Sequence, residues 1–174
     1  TNPVGCSFEQ LLLNSDLSPD LYSYSRDSSA EFDLDNPLGF KLLGNCQSSS
    51  IWVSFAPIWV FSVFFERFVR AYPDRISGLK GVIACSSSSS LSKKYSFSSF
   101  DKDLVDRLEF SEKSLLNECR DISVPCLILQ PTMVYGQVSS YSDRNISKLL
   151  KLLRRFPVLP LPANTGLRQP IHAT

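Results

Sequence analysis

Uninterrupted apolar runs alternate along this chain with segments of helical spacing, and the alternation predicts an α/β fold. Residues 82–85 (Val-Ile-Ala-Cys) and 124–129 (Val-Pro-Cys-Leu-Ile-Leu) carry no polar side chain, as strands buried on both faces of a parallel sheet do. A longer apolar run, residues 51–65, holds Pro57 and is followed directly by Glu66 and Arg67. A membrane-spanning helix needs about 20 residues, so this run is split at Ala56-Pro57 into a strand (51–55) and a helix (60–72). Helical spacing is plainest over 101–119, where Leu104, Val105, Leu108, Leu115, Leu116 and Cys119 recur. It returns over 145–156, with Ile146, Leu149, Leu150 and Leu153 expected inward and Lys148, Lys151, Arg154 and Arg155 outward; that basic end suits a helix carboxyl terminus. Ahead of these lie a helical piece (8–13), strands at 21–24 and 30–34, and a helix opened by Pro37 and ended at Gly44. Strands alternating with helices predict a parallel sheet covered on both faces.

Composition changes this picture little. The 174 residues, 43% apolar and 20% charged, suffice for one domain with a core, and no repeat or linker divides them. A net charge of +1 suggests neither nucleic acid nor an anionic membrane as partner. Cys6, Cys46, Cys85, Cys119 and Cys126 are odd in number and scattered, which reads as reduced thiols in a cytoplasmic protein without a metal site. The chain opens without methionine or a secretory signal and stops without a terminating element, so it is expected to be a fragment cut at both ends.

Candidate chemistry begins where the strand at 82–85 runs into five serines, Ser86 to Ser90. Ligands of open α/β sheets sit outside the carboxyl ends of the strands, so hydroxyls there are placed for hydrogen bonding to a substrate. A serine-rich surface loop is the plain alternative. On the helix that follows, about 100° per residue puts Glu112 on the side of Leu104, Leu108, Leu115 and Cys119, with Lys113 toward the edge of that stripe. A carboxylate on an apolar face needs a partner. Glu112 is therefore a structural acceptor for the serine run, the favoured reading, or a general base. Lys93 and Tyr95 are further proton-relay candidates, though solvated loop positions are the simpler account of both.

Four segments, Gly81 to Lys94, PCLILQPTMVYG (Pro125 to Gly136), DRNISKLLKLL (Asp143 to Leu153) and GLRQPIHA (Gly166 to Ala173), come in the order and spacing of a known family. The chain resembles the NAD-dependent epimerase/dehydratase family of the extended short-chain dehydrogenase/reductase superfamily, whose members act on nucleotide sugars. The resemblance implies a Rossmann-type doubly wound parallel sheet over residues 1–174, with the first strand missing and the substrate region, beginning at 137, truncated.

It also implies roles for individual residues. Thr1 to Phe8 lines up with the family's glycine-rich turn, placing Asn2, Gly5 and Cys6 against the cofactor pyrophosphate; Asn2 and Phe8 stand where the family has glycine. Arg26 follows the second strand, where an arginine accommodates a 2′-phosphate, so NADP is favoured over NAD. Asp33 and Leu34 border the adenine, and Ala56, Pro57 and Pro131 line the rest of the cofactor path. Ser88 matches the family's catalytic hydroxyl and Lys113 its lysine, but Glu109 stands where the tyrosine of the YxxxK pair belongs. On the substrate side the resemblance assigns Ser89, Met133, Arg144, Asn145, His172 and Arg168, the last a diphosphate ligand. The implied activity is an NAD(P)-dependent nucleotide-sugar epimerase or dehydratase with a non-standard catalytic site. A catalytically silent dinucleotide-binding sensor or assembly protein on the same fold, or an NADP-linked carbonyl reductase, stays open beside it. The expected partner is a nucleotide sugar, and a homodimer is left open.

Overall fold

The computed structural model describes residues 3–16, 21–24, 34, 49–138, 141–143, 146–156, 158 and 171–172. In chain order these form α1 (Pro3–Leu13), β1 (Ser50–Ser54), α2 (Ile58–Ala71), β2 (Leu79–Cys85), a one-turn α3 (Ser89–Ser92), α4 (Ser99–Asp121), β3 (Cys126–Leu129), β4 (Val134–Tyr135), β5 (Gln137–Val138), β6 (Tyr141–Ser142), α5 (Ile146–Arg155) and β7 (Ile171–His172). They belong to two compact units, residues 24–130 and residues 1–23 with 131–174.

In the first unit, β1, β2 and β3 make a parallel sheet in that order. The long apolar run divides at Pro57 as expected. Its extended φ and ψ (−53°, 129°) end the strand segment, and its carbonyl accepts the N–H groups of Val60 (2.9 Å) and Phe61 (3.1 Å) to start α2. Ile58, Phe61, Phe64, Phe65 and Phe68 then fall on one side of α2 and are buried. Phe68 and Phe65 meet the Trp52 ring of β1 edge-on, at 5.0 and 5.9 Å between centroids. On α4 the buried stripe is Val105, Leu108, Ser111, Leu115 and Cys119, and the Ser111 hydroxyl is satisfied by the Arg107 carbonyl at 2.8 Å.

The register aligns Trp52, Val82 and Cys126 on one face, with Ala84 and Ile128 two residues on, and all five join the hydrophobic cluster that α2 and α4 complete. The other face carries Ile51 (63% exposed), Leu127 (54%) and Leu129 (43%). Among the described residues of this unit, then, helices cover one face of the sheet, where burial on both faces is the expectation from sequence. Consecutive parallel strands joined by right-handed crossovers put both helices on the same side, and an unbroken apolar run does not reveal which of its faces is covered.

Between α4 and β3 the chain reverses through Ser123, whose φ of 58° is left-handed, and the Val124 N–H returns to the Cys119 carbonyl at 2.8 Å. No glycine marks this turn. Residues 21–24, expected as a strand, are irregular. The strand at 30–34, apart from Leu34 in a turn, and the helix from Pro37 to Gly44 lie outside the described residues.

In the second unit, α1 starts at Pro3, ahead of the expected 8–13, so Gly5 and Cys6 lie inside a helix. β4 pairs in parallel with β7, stacking Tyr135 edge-on against His172 at 5.0 Å. Gly136 connects β4 to the β5–β6 hairpin at a φ of 122°, and a Cβ there would sit 2.9 Å from His172 Nε2, so conformation and space both call for glycine. Asp143 accepts the N–H groups of Gly136 (3.2 Å) and Ile146 (2.6 Å), tying that turn to the start of α5. Leu149 and Leu150 of α5, expected inward, are exposed. Helical periodicity fixes a shared side but does not supply a surface to bury it.

Phe65→Ala should lower the free energy of unfolding by about 3–5 kcal/mol, read from urea denaturation, whereas Phe97→Ala, at a fully exposed position, should stay within about 0.5 kcal/mol. Equal effects of the two changes contradict this account of the core.

Candidate functional site

Cys85 and Leu129 are partners in the sheet register, so the next residues, Ser86 and Gln130, leave the sheet side by side at its carboxyl edge. The Ser86 N–H still donates to the Leu129 carbonyl at 2.7 Å, extending the ladder by one bond. Beyond Ser86 the serine run turns on itself. The Ser87 hydroxyl donates to Ser89 Oγ at 3.0 Å and accepts the Ser89 N–H at 3.2 Å; the buried Ser90 donates to the Ser87 carbonyl at 3.1 Å. Such local bonds are what serines offer a backbone that leaves regular structure.

Helix α4 packs against α3 and carries Glu112 to this edge. Ser86 Oγ donates to Glu112 Oε1. Gln130 Nε2 lies 3.0 Å from Oε1 and 2.9 Å from Oε2 of the same carboxylate, and 3.3 Å from Ser90 Oγ. A carboxylate accepts only, so the nitrogen of the Gln130 amide must face it; with two hydrogens for three acceptors, one N–H is shared between the carboxylate oxygens. Gln130 is exposed and Ser86 and Glu112 are half-buried, so the cluster opens to solvent.

The expected residues distribute as follows. Ser88 is on the same edge, but its part is main-chain: its carbonyl accepts Leu91 N–H (3.1 Å) and Ser92 N–H (2.9 Å) at the start of α3, and its side chain makes no capping bond. Ser86 is the serine that meets Glu112. Ser89 is engaged with Ser87. Lys113 is exposed on α4, and Glu109, at the place of the family tyrosine, faces Lys94 at 3.7 Å. Lys93 is held by Asp101 at 2.6 Å, Ser96 donates to the same carboxylate at 2.8 Å, and Tyr95 is exposed. Ala56 and Pro57 follow β1 at the carboxyl edge, where the Ala56 N–H donates to Ser54 Oγ at 3.3 Å. Leu34 packs against the hydrophobic cluster.

Gly5, Cys6, Pro131, Met133 and His172 belong to the second unit. There the Met133 carbonyl accepts the Ile171 N–H at 3.0 Å, and His172 closes over Gly136. Asn2, Arg26, Asp33, Arg144, Asn145 and Arg168 lie outside the described residues. Ser90 and Gln130 were not singled out from sequence. The signal for Gln130 was available: like Ser86, it is the first polar residue after an apolar strand.

Among the described residues no group of three or more histidines, cysteines or carboxylates is arranged to hold a metal ion, and no helix is long and apolar enough to cross a membrane. A groove of about 500 Å³ lies at the other end of the sheet, lined by Val69, Ile76, Lys80 and Val124 among others. Parallel sheets take their ligands at the carboxyl ends, so the polar cluster is the better candidate. Comparison with protein-family models, curated proteins and solved structures finds no match to this chain.

Among the described residues three thiols depart from ordinary values. Burial pushes Cys85 up. A thiol–thiol hydrogen bond between Cys119 and Cys126, and then burial, push Cys119 up; the same bond lowers Cys126 against the opposing effect of burial. The thiolate is the nucleophile, so as pH rises iodoacetamide should modify Cys126 well before Cys119, as read by peptide mass spectrometry. Cys119 reacting first contradicts the pairing.

Proposed function

We propose that the protein is an NAD(P)-dependent nucleotide-sugar epimerase or dehydratase built on a Rossmann-type sheet. The observation that carries the reading is a hydroxyl bonded to a carboxylate, Ser86 to Glu112, at the carboxyl edge of a parallel sheet. Removing hydrogen from a sugar carbinol needs a hydroxyl that contacts the reacting oxygen and a base that takes its proton, and this pair offers both where the YxxxK tyrosine is replaced. A bound nicotinamide would accept the hydride and return it.

The residues fit such a cofactor at one described point. Gly5 and Cys6 lie in the first turn of α1, and the amino end of a helix favours a phosphate through its dipole. Arg26 favours NADP through its 2′-phosphate, and Arg168 is the ligand proposed for the substrate diphosphate. A silent dinucleotide-binding protein is the second reading. It is favoured by Phe8, a half-buried ring inside α1 where the family has glycine for close packing.

The purified protein, incubated with NADP or NAD and a panel of UDP-, GDP- and dTDP-sugars, should form an epimer or a dehydrated product visible by NMR. NADP should bind more tightly than NAD, and Arg26→Ala should remove the difference. Binding without turnover supports the silent reading; neither binding nor turnover by the folded protein rules out both.

A further inference from the structure

The hydrogen bonds at the carboxyl edge have a direction. Ser90 spends its proton on the Ser87 carbonyl and accepts from Gln130. Gln130 spends both amide hydrogens on Ser90 and on Glu112, and Ser86 spends its proton on Glu112 Oε1. Every donor in the network is used, and every bond to Glu112 points toward the carboxylate. Ser86 Oγ keeps acceptor capacity, since a hydroxyl oxygen has two lone pairs, and it stands in the half-buried opening of the cluster. The network is therefore polarised to receive a proton at Ser86 and pass it inward.

We infer that Ser86 and Glu112 form a proton relay that does the work of the missing tyrosine, with Gln130 as the positioning residue that fixes the carboxylate beneath the serine. This rests on the reaction proposed above. The substrate O–H bond breaks and its proton joins Ser86 Oγ while the Ser86 proton passes to Glu112 Oε1. A bound nicotinamide would take the carbinol hydrogen as hydride, with the electron pair of the breaking C–H bond, so that the carbinol would become a carbonyl. On return of the hydride to the opposite face the proton would go back through Ser86, leaving Glu112 a carboxylate again. Gln130 touches no reacting atom. Without it the carboxylate loses one of its two donors, the one that spans both oxygens, and is free to swing away from Ser86.

The test compares the parent protein with Ser86→Ala, Glu112→Ala and Gln130→Leu on whichever nucleotide sugar the parent converts. Kd for cofactor and sugar is measured separately for each. The relay requires kcat to fall by about 10²-fold or more in Ser86→Ala and Glu112→Ala, and to fall in Gln130→Leu with KM and both Kd values within about twofold. Added formate should restore turnover to Glu112→Ala by supplying a carboxylate in the vacated space, and should leave Ser86→Ala unchanged; a purely structural glutamate would show no such rescue. Parental turnover kept by Ser86→Ala or Glu112→Ala, or no formate rescue, overturns the relay while leaving the proposed reaction standing. A folded parent that converts no sugar overturns both.

Discussion

Two parallel strands cannot be joined by a tight turn; each connection must cross from one end of the sheet to the other, and the crossover is right-handed. In the order β1-β2-β3 this constraint puts α2 and α4 on one face and brings all three strands to finish at one edge. The remaining features of the unit follow. The Phe row of α2 is seated on Trp52 because α2 must run back over the sheet it has just left. Ser86 and Gln130 emerge as neighbours because Cys85 and Leu129 are paired. Glu112 reaches them because α4, starting beyond that edge, passes it on the way back.

Much of this was legible in the sequence. The strand cores, the break at Pro57 and the extent of α4 follow from apolar periodicity and from the inability of proline to donate a ladder bond. The orientation of Glu112 toward the covered side follows from helical geometry, and it is what makes the carboxylate available to the serine run. What periodicity does not carry is the covering of each face. The runs 82–85 and 124–129 look alike whether one face or two are buried, and Ile51, Leu127 and Leu129 show the difference. The Leu149 and Leu150 stripe of α5 fails for the same reason.

The site was only partly legible because its members come from three segments. Glu112 and the serine run could be joined by counting residues, but the choice of Ser86 among five serines depends on where β2 ends and α3 begins. Gln130 is marked as the first polar residue after an apolar strand, but its place beside Ser86 depends on the β2–β3 register, which no local pattern reports. Ser123 shows a related limit: its left-handed turn is set by closure of α4 onto β3, and its neighbours give no glycine signal. Lys93 and Tyr95 separate once contacts are known, since Lys93 is held by Asp101 whereas Tyr95 faces solvent.

The central claim is that Glu112 fastens the carboxyl ends of β2 and β3 through Ser86 and Gln130. A double-mutant cycle on unfolding free energy tests it without reference to any substrate: Ser86→Ala, Glu112→Ala and the double variant, each measured by urea denaturation. A hydrogen bond to a charged group should give a coupling of about 1–3 kcal/mol. Additivity to within about 0.3 kcal/mol would show that serine and carboxylate do not act together, and would contradict the account.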